Sequence, residues 1–188
     1  MSYDLYCYRP STDVPDLSEA EALVEAITEA EESGIAREPE SSTRDAVVAA
    51  LLKHNPRLEK FHFDHAEIAS DLKISESEAR ARFQYAELNP PEGDRAIQLT
   101  VHADHVFISI PYWYQSDAVD AVIEELSGYL RVIRETAGYF VYDPQMSAVF
   151  DPRQSGFEGR ATYLRVTEGT AQAAARGDKE SKPWWRFW

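Results

Sequence analysis

The sequence predicts an α+β fold: an antiparallel or mixed β-sheet with a central meander, covered by helices, plus an irregular C-terminal tail. Three observations predict it. Apolar residues alternate with a period of two at Tyr3-Leu5-Cys7 and again between Ile97 and Ile110. They recur at helical spacing in several other segments, most regularly between Val119 and Ile133. The elements run strand, helices, meander, helix, strands, an order that favours an antiparallel or mixed sheet with helices packed on it. The expected organisation is one α+β domain over residues 1–151. An irregular tail over residues 152–188 follows and ends in an aromatic cluster.

Tyr3 to Arg9 reads as the first strand. A loop then leads into a helix with Ser18 as N-cap and Glu21 completing a capping box. Ala20, Leu23, Val24, Ile27 and Ala30 form its apolar stripe, and Gly34 ends it. A second helix is capped by Ser42, with Asp45 in its first turn and Val47, Ala50 and Leu51 inward. Asn55 and Pro56 stop it. Asp64 with Glu67, and Ser75 with Glu78, are spaced as two further capping boxes. They predict two short helices joined near Lys73 and Ile74, with Ile68, Ala69, Leu72, Ile74, Ala79 and Phe83 facing inward.

From Tyr85 the period changes to two, interrupted by the turn "PPEGD" at residues 90–94. A hairpin with Ala103-Asp104 as its two-residue loop pairs Val101 with Val106, Leu99 with Ile108 and Ile97 with Ile110. Every apolar residue then meets an apolar residue on one face. That agreement sets the register, since Ala-Asp is not a favoured turn pair. Ser116 caps the most regular helix, whose stripe is Val119, Val122, Ile123, Leu126, Leu130 and Ile133. Its acids precede its bases, and Gly138 suits the C′ position. Two short strands around Asp143-Pro144 follow. Beyond Asp151 the sequence offers a short strand from Ala161 to Val166, then a small and polar stretch. It closes on Trp184, Trp185, Phe187 and Trp188. Such a cluster either folds back on the protein or anchors a contact with another one.

The 188 residues suffice for one domain with a sizeable core. A single cysteine, Cys7, excludes an internal disulfide and a cysteine-based zinc cage. No run of about 18 apolar residues is present, and the start lacks the basic and apolar regions of a secretory leader. These features predict a cytoplasmic protein. The formal net charge is −14 and unevenly placed: residues 1–95 carry 21 acids against 10 Lys and Arg, residues 96–188 carry 12 against 9. Such a field repels nucleic acid and anionic membrane and attracts basic proteins.

Four of the five histidines sit in two copies of His-x-Asp-His, at His62–His65 and His102–His105. Together they have the ligand types of a zinc, nickel or iron site, which would make a small metal-dependent enzyme. Each aspartate also has a structural use, Asp64 as an N-cap and Asp104 in a turn. The expected cofactor set is therefore empty, as is the catalytic set: no nucleophile elbow, P-loop, dinucleotide fingerprint or H-E-x-x-H motif occurs. Residues 64–86 resemble a helix-turn-helix of the sigma-factor or repressor type. Ala69 stands at its small position, Ile74 at its buried turn residue, and Ala79 where a branched residue is usual. The segment departs from the motif at Lys73, where glycine is usual. The resemblance implies a DNA-binding regulator with Arg80 and Arg82 on DNA. Glu76 and Glu78, and the acidity of the surrounding chain, oppose that use.

Glu21, Glu25, Glu29 and Glu32 recur at i, i+4, i+8 and i+11, and no Lys or Arg lies between Pro10 and Ala36. Like charges at this spacing destabilise a helix by roughly 0.2–0.5 kcal/mol per pair. With Glu38 and Glu40 they form either a surface complementary to a basic partner or an ordinary solvated face. The start "SYDLY", "IPYW" at Ile110–Trp113, "VYDPQ" at Val141–Gln145 and the closing "PWWRFW" resemble those of small uncharacterised bacterial proteins of the toxin-immunity type, without pointing to one named family. The resemblance implies a non-catalytic inhibitor that neutralises a basic bacterial toxin domain. Glu21, Glu25, Glu29, Glu32, Glu38 and Glu40 are the predicted contact residues.

Overall fold

The computed structural model describes residues 2–33, 41–91, 93–114, 116–154, 157 and 159–175. Its elements are β1 (Ser2–Tyr8), α1 (Leu17–Ser33), α2 (Ser42–His54), β2 (Glu59–Lys60), α3 (His65–Leu72), α4 (Glu76–Arg82), β3 (Ala86–Asn89), β4 (Gln98–Val101), β5 (His105–Pro111), α5 (Ser116–Ala137), β6 (Phe140–Asp143), β7 (Ala148–Phe150) and α6 (Arg160–Ala175). The strands form one antiparallel sheet in the order β2-β3-β4-β5-β1-β6-β7. The chain is thus α+β, as its patterning predicts.

The first strand lies at the centre of the sheet rather than at an edge. β1 pairs with β5 along its whole length and with β6 at its C-terminal end. Its alternation explains this position, because a central strand presents one side-chain set to each face. Tyr3, Leu5 and Cys7 point to the face covered by α2 and α5. There they meet Leu99, Val106, Ile108 and Ile110 from the sheet and Leu51, Val122, Leu126 and Ile133 from the helices. Tyr6 and Tyr8 point the other way and join Tyr142 and Val149 against Ala20, Leu23 and Val24 of α1. The sheet is therefore clasped between helices on both faces, with the larger core on the α2–α5 side.

The β4–β5 hairpin has the predicted register: Val101 faces Val106 and Leu99 faces Ile108. The His102 N–H donates to the His105 carbonyl at 2.9 Å and closes the two-residue loop. Gly138 adopts φ +75° after α5, and its N–H donates to the Arg134 carbonyl. Both features agree with the sequence reading, as do the caps Asp64 and Ser75, whose side chains accept from the first-turn N–H groups of α3 and α4.

Other expectations are corrected. Asp16, not Ser18, caps α1: its carboxylate accepts from the Ser18 N–H and its carbonyl from the Ala20 N–H. Aspartate is as good a cap as serine, so the helix gains two residues at its start. Ser41, not Ser42, caps α2, and its hydroxyl also donates to the Ala103 carbonyl at the hairpin tip. Val48 rather than Ala50 is buried on that helix. Leu72 is 51% exposed instead of inward. The segment from Ala161 to Val166 is helix, not strand. Tyr163 explains the change: in α6 it is fully buried against Tyr3 and donates its hydroxyl to the Pro111 carbonyl at 2.5 Å. Burial of one large aromatic outweighs the weak strand propensity of a six-residue window. The region after Asp151, read as an irregular tail, therefore contributes Phe157 and Tyr163 to the core. The closing tryptophans lie outside the described residues.

Candidate functional site

Two surfaces carry the residues that the sequence singles out. The first is the outer face of α1. Its apolar stripe is held against β1, β6 and β7, so its opposite face is presented in a defined orientation. Glu21, Glu25 and Glu29 are exposed there on one line. Among the described residues, no cation lies within ion-pair range of these three carboxylates. Glu19, by contrast, is used locally and accepts the Ser11 N–H at 2.7 Å. The negative field reaches the sheet: burial first, then Glu21 and Asp143, push the Tyr142 phenol above its ordinary value. Glu32 falls in the last turn of α1, and Glu38 and Glu40 lie outside the described residues.

The second surface lies at the other end of the strand order, where β2 leads into α3 and α4 leads into β3. Phe61 pairs with Phe63 at 5.0 Å between ring centroids, Phe63 with Tyr85 at 5.1 Å, and Tyr85 with His102 at 5.0 Å. His102 then stacks on His105 at 4.2 Å with only 10° between their planes. Strand pairing produces this row: Ala86 faces Val101 and Val101 faces Val106, so Tyr85, His102 and His105, each one step further along the ladder, fall side by side. The row borders a shallow groove of about 340 Å³ lined by Lys60, Phe61, His62, Phe63, Arg80 and Tyr85, among others.

The two histidine pairs do not assemble into one site. His102 and His105 lie face to face, a geometry in which ring nitrogens do not converge on one ion. His105 places Nδ1 2.7 Å from Asp104 Oδ1, and that contact, ahead of the burial that opposes it, holds the Asp104 carboxyl below its ordinary value. His65 rests on Phe63 with Nε2 3.4 Å from the Phe83 carbonyl oxygen. Phe63 and Tyr85 stand between the pairs. Among the described residues no three His, Cys, Asp or Glu side chains come together so as to hold a metal ion.

The helix pair α3–α4 has the caps of a helix-turn-helix, and each arginine of α4 has a glutamate of the same helix beside it. Arg80 donates to Glu76 and Arg82 to Glu78, each at 2.5 Å across one helical turn. The aromatic row is the feature that sequence reading missed. Period-two alternation marks Tyr85 and the hairpin histidines as sharing a face, but only the β3–β4 register brings them side by side.

Among the described residues no helix is long and apolar enough to cross a membrane. No protein-family model matches the chain, and neither a curated protein nor a solved structure matches it.

Proposed function

We propose that this chain is a non-catalytic protein-binding protein whose acidic α1 face engages a basic partner. The resemblance to toxin-immunity proteins makes that partner a bacterial toxin domain, which the chain would neutralise. The observation that carries this reading is the line of exposed carboxylates Glu21, Glu25 and Glu29, with no described cation in ion-pair range. A solvated face built for stability alone would interleave lysines, since repulsion at this spacing weakens the helix. Exposed charges of one sign act chiefly on encounter: they raise the association rate and make it salt-sensitive. They also reject acidic competitors, which suits an inhibitor whose specificity lies on a surface rather than in a cleft.

The test uses the product of the gene immediately upstream as the partner. The expected result is a complex whose association rate falls steeply with ionic strength. Combined Glu21→Lys, Glu25→Lys and Glu29→Lys substitution should slow association by at least about tenfold. Binding that is indifferent to salt and survives the triple reversal would sink the proposal.

A further inference from the structure

The groove at the β2–α3 junction differs in chemistry from the rest of this acidic chain. Phe61 is 50% exposed on it, with its ring set edge-on against Phe63. Lys60, His62 and Arg80 line the same groove, and none of its described lining residues is a carboxylate, in a chain that carries 33 acids. Arg80 gives Nη2 to Glu76, which lines the adjoining concavity with Asp64 and is the nearest opposing charge. The guanidinium keeps further N–H groups for a second acceptor.

We infer that this groove binds a mononucleotide, with the base against Phe61 and Phe63 and the phosphate between Lys60 and Arg80. Aromatic rings offer any base a stacking face, and lysine and arginine are the usual phosphate partners. The groove is shallow, with about 340 Å³ of space, at the small end of ligand pockets. The net charge of −14 favours one nucleotide over a chain, because a polyanion accumulates repulsion along its length that a single phosphate does not. The groove lies at the β2 end of the strand order and α1 covers the β7 end, so this site and the acidic face can fail independently.

The test titrates the full chain with adenosine 5′-monophosphate by calorimetry. Adenosine, inorganic phosphate, phosphotyrosine and a short oligothymidylate are run alongside. The expected result is saturable binding of the monophosphate, with adenosine and inorganic phosphate each at least about tenfold weaker. Phe61→Ala and Lys60→Gln should each weaken it about tenfold while leaving the melting temperature unchanged. Trp113→Ala, which alters an exposed aromatic elsewhere, should leave it unaltered. Absence of saturable binding, indifference to Phe61→Ala, or tighter binding of the oligothymidylate or phosphotyrosine would each overturn the inference.

Discussion

Asp151 is held by two arginines. Its side chain is 5% exposed and takes Arg134 through Nε at 2.9 Å and Nη2 at 3.0 Å, with Arg153 as a second partner. Arg134 also donates to the Gly138 carbonyl and lies over the Phe140 ring. Its hydrogen bond to Asp151, then that of Arg153, hold this carboxyl well below the usual aspartate range. The contribution to stability is therefore full above the unfolded value near pH 4 and is lost as pH falls through the folded one. Asp143 works in the opposite sense. Burial pushes its carboxyl up, against the Tyr3 hydroxyl and the Gln145 and Met146 N–H groups that lower it. Its contribution is present below the unfolded value and is lost as pH rises through the folded one. We predict that Asp151→Asn costs about 3 kcal/mol at neutral pH and flattens the acid limb of stability, as urea unfolding between pH 2 and pH 7 would show. A mutant curve parallel to wild type would mean that the pair adds nothing. Gly159 makes a second prediction. A Cβ there would lie 2.1 Å from the Phe157 ring and 2.5 Å from the Tyr3 hydroxyl oxygen. Gly159→Ala should therefore lower stability by about 1–3 kcal/mol in the same assay.

At the scale of elements, the caps of α3 and α4 were legible in the sequence, whereas those of α1 and α2 fall on Asp16 and Ser41 instead of Ser18 and Ser42. Asp64 and Ser75 are caps because their side chains answer N–H groups two or three residues away, a purely local matter. Leu72 was misplaced because the inward face of α3 depends on what packs against it, and its main neighbour is the short α4. Between these helices Lys73 sits at φ +56°, a left-handed position where glycine carries less strain. Lys73→Gly should thus stabilise the α3–α4 unit by about 0.5–1 kcal/mol, read as slower amide exchange in α3. Ser75→Ala should do the reverse by about 1 kcal/mol. Faster exchange in the glycine variant would show that the lysine makes a compensating contact.

The whole molecule combines an acidic helix on one side of the sheet with a small cationic and aromatic groove near the opposite edge. If the α1 carboxylates serve binding rather than folding, relieving their repulsion should help the isolated chain. Glu25 stands one turn from both Glu21 and Glu29. Glu25→Lys is predicted to raise stability by about 0.5–1 kcal/mol at low ionic strength, with the gain shrinking in about 0.5 M salt. A loss of stability in the thermal melt would place Glu25 among the residues that hold the fold. The candidate surfaces were unequally visible beforehand. The acidic line follows from spacing within one helix, so Glu21, Glu25 and Glu29 could be named directly. The groove draws Lys60 and Phe61, Arg80, and Tyr85 from three segments, and no local pattern joins them.

Sequence alone determined the α+β class, the β4–β5 register, the α3 and α4 caps and the charge of α1. Each depends on residues close in the chain, where periodicity and capping chemistry act within one or two turns. Only the tertiary structure decided that β1 is central, that residues 160–175 are helical, and that the two histidine pairs stay apart. Those outcomes depend on burial across the chain. Tyr163 becomes a helix residue because Tyr3 and Pro111 stand ready to receive it. His102 stacks on His105 because antiparallel pairing across the hairpin sets their rings side by side. Local rules choose the elements, while the free energy of bringing distant apolar surfaces together chooses their places.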